Sequence, residues 1–288
     1  AGLSPAYMKT HPMTALERYA TALLTAALLL PGAALAQREG VDVGANSGFA
    51  SLVPAKEIEL SAATQYKTLL AEAASKNALA PLEHPQLERL RRIADQLIPF
   101  ANEWNPRAKS WQWEVNLIGS KQINAFCMPG GKIVFYTGII EQLKLTDDEV
   151  AQIMGHEIAH ALREHARERM GKSTATQGLS RIGGALVAGI FGIDPRITDM
   201  VAQQGANLLT LKFGREDESE ADLIGMELGA RAGFDPRSGV TLWEKMSANN
   251  QNAPPEWMST HPSGSSRIQE MQANMGRVLP LYQRAKTP

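Results

Sequence analysis

The sequence predicts an α+β fold dominated by helix. Three observations carry this: apolar residues recur at helical spacing before residue 100 and again after residue 145, short β-rich runs lie between them, and no segment repeats. Pro54 to Asn77 and Pro85 to Phe100 read as two packing helices, with Leu69, Leu70, Leu87, Leu90, Ile93 and Leu97 as expected core positions. Trp111 to Ile118 and Gln122 to Met128 are β-rich, and after Pro129-Gly130-Gly131 the run Lys132 to Tyr136 is a third short strand, so a small sheet is expected. Thr146 and Glu149 form a capping box for the next helix, expected to run to about Met170. The Gly- and Ala-rich stretch Thr174 to Gly192 reads as a buried helix, a mobile plug or a membrane-touching surface. Asp194-Pro195 is expected to start a helix reaching about Leu211. Glu216 to Ala232 is helical up to Gly233, Asp235-Pro236 starts another helix, and a last one spans about Ser265 to Tyr282.

The 29 basic and 30 acidic residues give a net charge of -1, so no bulk field recruits nucleic acid. The N-terminus has its own pattern. Lys9 and Arg18 precede the apolar run Tyr19 to Leu30, and small residues then lead to Ala34-Leu35-Ala36. This order is that of an exported leader, residues 1–36, with cleavage expected after Ala36; the run is short of the ~20 residues that span a bilayer. The remainder, residues 37–288 with a core at about 51–282, reads as one domain in a bacterial envelope compartment, the periplasm. Its single cysteine, Cys127, excludes an intramolecular disulfide and reads as a small buried strand residue.

The chemistry centres on His156-Glu157-Ile158-Ala159-His160. Helical residues four apart differ by about 40° and rise about 6 Å, so the two imidazoles can share one metal ion while Glu157 takes a proton from a water beside it. A catalytic site needs a third protein ligand and an open position. His165 is turned about 140° from His160 on a continuous helix and reads as a surface residue or one standing behind a ligand. The better source is Glu216 to Asp222, where Glu218 and Asp222 share a face; one can bind the metal while the other orients a ligand histidine. Glu216, Asp217 and Glu220 are then expected to be solvated charges. Two imidazoles and a carboxylate suit zinc, one ion per chain.

Together with Asn124-Ala125-Phe126 before Pro129-Gly130-Gly131, and with Thr260-His261-Pro262, these motifs resemble the HtpX/BepA/LoiP group of gluzincin metallopeptidases over roughly Ser51 to Tyr282. The resemblance implies a metalloprotease domain with a small sheet packed on the His156–His160 helix. His156, His160 and Glu218 would be zinc ligands, Glu157 the general base, and Asp222 the partner that orients a ligand from behind. His261 would approach the metal and restrain the enzyme, or serve the transition state. Asn124, Ala125 and Phe126 would form the edge that pairs with an extended substrate. Such an enzyme would cleave misfolded or unassembled envelope polypeptides, outer-membrane proteins among them, from the periplasm or in association with the outer membrane. Neither the membrane spans of HtpX nor the helical repeats of BepA are evident, so the plan is expected to be nearest that of soluble LoiP, with at most peripheral membrane contact. The rival expectation is a chaperone-like assembly factor that uses zinc only structurally.

Overall fold

The structure, a computed structural model, describes residues 38–181, 208, 211–248, 256–261 and 265–287. The expected leader, most of the Gly-rich stretch and most of the helix expected from Asp194 lie outside the described residues. From Gly40 onward the chain forms one compact unit. Its elements in order are α1 (Ala55–Ser75), α2 (Pro85–Leu97), β1 (Glu114–Ile118), β2 (Ala125–Met128), β3 (Lys132–Tyr136), α3 (Thr137–Gln142), α4 (Asp147–Leu162), α5 (His165–Arg181), α6 (Arg215–Arg231), α7 (Ser238–Ala248), α8 (Glu256–Thr260) and α9 (Ser265–Lys286). The mainly helical α+β class follows directly from this order.

The sheet has the order β1-β3-β2, with β1 parallel and β2 antiparallel to β3. β3 is central and buried, whereas β2 forms one edge. The N–H of Tyr136 donates to the carbonyl of Asn124 at 3.1 Å, which sets the phase of the ladder. Residues 124, 126 and 128 therefore bond toward β3, and the main-chain groups of Ala125 and Cys127 point off the edge that no other strand pairs with among the described residues.

α4 is capped as the sequence predicts. Glu149 Oε2 accepts the Thr146 N–H at 2.8 Å, and the Glu149 N–H donates to Thr146 Oγ1 at 3.3 Å. The expected continuation to Met170 is incorrect. α4 ends at Leu162, Glu164 takes the left-handed conformation at φ 60, and α5 starts at His165. Arg107 and Arg167 both pair with the Glu164 carboxylate, so tertiary contacts hold a break that no glycine or proline marks.

The core gathers around α4, which packs on α6 and on β2 and is buried along nearly its whole length. Leu87, Leu90, Ile93 and Leu97 are fully buried in it, while Leu69 and Leu70 are half-buried beside a smaller cluster around Tyr66. α4 and α6 cross where both are reduced to glycine. A Cβ at Gly155 would lie 2.8 Å from the Gly225 carbonyl oxygen, and one at Gly225 would lie 2.7 Å from the His156 nitrogen. That close approach sets the next residue, His156, against the face of α6 that carries Glu218 and Asp222.

Candidate metal centre

His156 and His160 project from one face of α4, Glu218 and Asp222 from the facing side of α6, and His261 from the end of α8. All five are buried, Glu218 completely. The potential donor atoms of His156, His160, Glu218 and His261 all lie within 4.8 Å of one another. His156 Nε2 is 3.1 Å from His160 Nε2 and 3.3 Å from His261 Nδ1. Glu218 Oε1 is 3.0 Å from His261 Nδ1 and 3.6 Å from His160 Nε2, and its Oε2 is 3.6 Å from His156 Nε2. Ring nitrogens and carboxylate oxygens gathered this closely can each offer one donor atom to a single ion. Three imidazoles and one carboxylate are a donor set that suits zinc, and the residues fit such an ion.

Around this centre stands a ring of polar contacts. His156 Nδ1 lies 3.1 Å from Asp222 Oδ1. Arg267 on α9 donates to both oxygens of Asp222 at 2.6 and 2.7 Å, pairs with Glu218 Oε2 at 2.6 Å, and rests 4.1 Å above the Trp243 ring. On the other side His160 Nδ1 is 2.8 Å from His165 Nδ1, and His165 Nε2 is 3.3 Å from Glu220 Oε2. Phe213 stacks on the His160 ring at 4.0 Å. Glu157 is buried between α4 and α8, where its Oε1 accepts the Trp257 indole N–H at 2.6 Å and stands 3.6 Å from His261 Nε2.

Burial disfavours charge on His160, and the adjacent His156, His165 and His261 add to this, so its ring stays neutral well below the ordinary imidazole value. His261 is buried as well, yet the Glu157 and Glu218 carboxylates outweigh that and raise it. For Asp222, burial opposes ionisation, but the Arg267 guanidinium and the His156 hydrogen bond bring it down to about 2. The Cys127 thiol is pushed up by burial, which disfavours its thiolate, in keeping with a small buried strand residue.

A groove runs beside the cluster, walled on one side by Asn124, Phe126 and Met128 and on the other by Glu157, His160 and His261. Ala125 and Phe126 lie in β2, and Asn124 immediately precedes it. Two expectations about charge are corrected. Asp217 is buried and accepts the Gly214 N–H at 2.8 Å at the start of α6, and Glu220 is half-buried against Arg163 and His165; only Glu216 is an exposed charge. His165, which a continuous helix would turn away from His160, is 1 % exposed and touches it, because the break at Glu164 returns it to the site. Sequence reasoning missed Trp257, Arg267 and Phe213. Arg267 follows His261 by six residues, but no local pattern ties an arginine or a tryptophan to carboxylates 45 to 100 positions away.

Residues 84–275 match the family model of Peptidase family M48. Among curated proteins the chain is 38 % identical over 172 residues to a mitochondrial metalloendopeptidase OMA1 of Arabidopsis thaliana, covering 59 % of this chain and 33 % of that protein. It is 27 % identical over 215 residues to the metalloprotease LoiP of Escherichia coli, covering 73 % of this chain and 81 % of LoiP. It is also 29 % identical over 171 residues to the β-barrel assembly-enhancing protease of the same bacterium, covering 57 % of this chain and 35 % of that protein. The chain spans between 33 and 61 % of the OMA1 relatives that it matches. Among the described residues no helix is long and apolar enough to cross a membrane.

Proposed function

We propose, on the premise that this chain belongs to peptidase family M48, that it is a zinc-dependent endopeptidase whose ion is held by His156, His160 and Glu218. The observation that carries this reading is the convergence of these buried side chains on one centre with Glu157 beside them. A zinc ion held there would supply Lewis acidity to the scissile carbonyl and to the attacking water. Glu157 acts as general base, taking the proton of the attacking water and handing it to the leaving amine nitrogen. Asp222 accepts the Nδ1–H of His156, which keeps that ring's Nε2 lone pair directed into the centre.

Latency belongs to the same reading. Trp257 and His261 sit at the two ends of the segment that begins in α8 and reaches the metal centre, so one short segment engages the base and places a fourth donor in the cluster. The Trp257 main-chain N–H donates to the Ile123 carbonyl at 3.0 Å, directly before the β2 edge. A substrate strand adding to that edge would compete with this segment.

The edge of β2, unpaired by any strand among the described residues, supports an extended polypeptide as substrate, paired main chain to main chain alongside Asn124, Ala125 and Phe126. Such pairing is indifferent to sequence and demands an unfolded chain, which favours misfolded or unassembled proteins. The leader pattern of residues 1–36 and the relative named for β-barrel assembly support the periplasm as the place and outer-membrane proteins as targets.

Metal analysis combined with casein cleavage tests both parts. Wild type should carry one zinc per chain, and Glu157→Gln should keep it while losing ~100-fold or more in cleavage. Undiminished cleavage by Glu157→Gln would sink the assigned base. His261→Ala should keep the metal and cleave faster; if it instead loses metal and unfolds, the ion is a closed structural site and the chaperone-like reading gains.

A further inference from the structure

His165 is a buried histidine for which the hydrolytic mechanism has no use. Its Nδ1 stands 2.8 Å from His160 Nδ1, a distance at which one of the two nitrogens must carry the proton and the other must accept it. The two possibilities have opposite consequences. If His165 were the donor, neutral His160 would carry its proton on Nε2, which points at His156 Nε2 only 3.1 Å away, and that nitrogen could not bind a metal. If His160 is the donor, its Nε2 lone pair is free. With its Nδ1 accepting, His165 then carries its own proton on Nε2, 3.3 Å from the Glu220 carboxylate, which accepts it. Glu220 is fixed in turn by the Arg163 guanidinium at 2.7 Å.

We infer that the chain Glu220–His165–His160 is a tautomer lock: His165 is a positioning residue that keeps the His160 proton on Nδ1 and its Nε2 lone pair aimed at the metal centre. The inference rests on the zinc reading above. It explains the break between α4 and α5. On a continuous helix His165 would be turned about 140° from His160; the left-handed Glu164 brings the ring back behind it. The arrangement parallels that of Asp222 and His156, with an imidazole inserted between carboxylate and ligand.

Zinc affinity of the full chain, measured by competition with a chromophoric chelator, tests the lock apart from catalysis. His165→Leu has no acceptor for the His160 N–H and should weaken zinc ~10- to 100-fold. His165→Gln offers an amide oxygen to His160 and an amide N–H to Glu220, and should recover most of that loss. Equal losses in both variants, or none in His165→Leu, would overturn the lock. A merely structural role for His165 would move the thermal unfolding of the metal-free variants without this split. Nitrogen-15 NMR of the metal-free protein gives an arm independent of zinc. Wild-type His160 should be protonated on Nδ1, and His165→Leu should shift it toward Nε2. An Nε2-protonated His160 in wild type would refute the proposal, whereas failure to bind zinc with the expected tautomer intact would count against the metal reading alone.

Discussion

At the scale of single residues, the site is held by charge placed where water is absent. Arg267 is 4 % exposed and spans Asp222 and Glu218, two carboxylates that would otherwise repel each other in a buried space. The sign of the resulting pH dependence follows from Asp222. Its value falls from 3.8 to about 2 on folding, so its contribution is fully present above the ordinary carboxylate range and is lost as pH drops toward 2. The shift corresponds to about 2 kcal/mol. Asp222→Asn, studied by urea unfolding after chelator treatment, should be less stable than wild type at pH 7, because it leaves Arg267 short of a partner. The gap should narrow by about 2 kcal/mol between pH 4 and pH 2. A gap that is constant across that range would mean Asp222 titrates normally. None of this was legible in the sequence beyond the shared face of Glu218 and Asp222. The guanidinium that joins them comes from a different helix.

At the scale of elements, the start of α4 was legible and its end was not. A capping box is a local arrangement of four residues, and Thr146 to Glu149 spells it out. The end at Leu162 depends on Arg107, more than fifty residues away, gripping Glu164. The α4–α6 crossing is likewise hidden, since Gly155 and Gly225 look like isolated helix glycines that only cost propensity. In the folded chain they permit the contact that brings His156 of one helix to Glu218 and Asp222 of the other. Gly225→Ala should lower stability by ~1–3 kcal/mol and weaken zinc binding as the helices part, read from thermal melts and chelator competition. Unchanged zinc affinity in a destabilised Gly225→Ala would show that the crossing serves packing alone.

On the scale of the whole molecule, the segment from Gly40 to Leu52 straps α4, α5 and α6 together. The Val41 N–H donates to Glu227 Oε2 at 2.7 Å on α6, and Arg163, just past α4, donates to the Gly44 and Ala45 carbonyls at 3.1 Å while holding Glu220. Gly171 on α5 leaves room for the Phe49 carbonyl, which a Cβ would meet at 2.0 Å. The strap thus lies over the same Arg163–Glu220 pair that supports His165. Arg163→Ala should cost ~1–3 kcal/mol in urea unfolding and should expose residues 40–53 to early cleavage in limited proteolysis. A digestion pattern identical to that of wild type would show that Arg163 does not hold the strap.

By itself the sequence determined the α+β class, the cap of α4, the pair of imidazoles with a carboxylate between them, and an acidic helix with Glu218 and Asp222 on one face. Each is a property of spacing along one element, where 3.6 residues per turn or a cap of four residues dictates which groups share a face. The tertiary structure decided what the sequence had left open, that His261 joins the cluster and that His165 stands behind His160, and it alone decided that Trp257 engages Glu157 and that Arg267 clasps both carboxylates. Those approaches depend on a glycine crossing, a left-handed residue and ion pairs between distant segments, and such contacts leave no periodic trace in the chain that makes them.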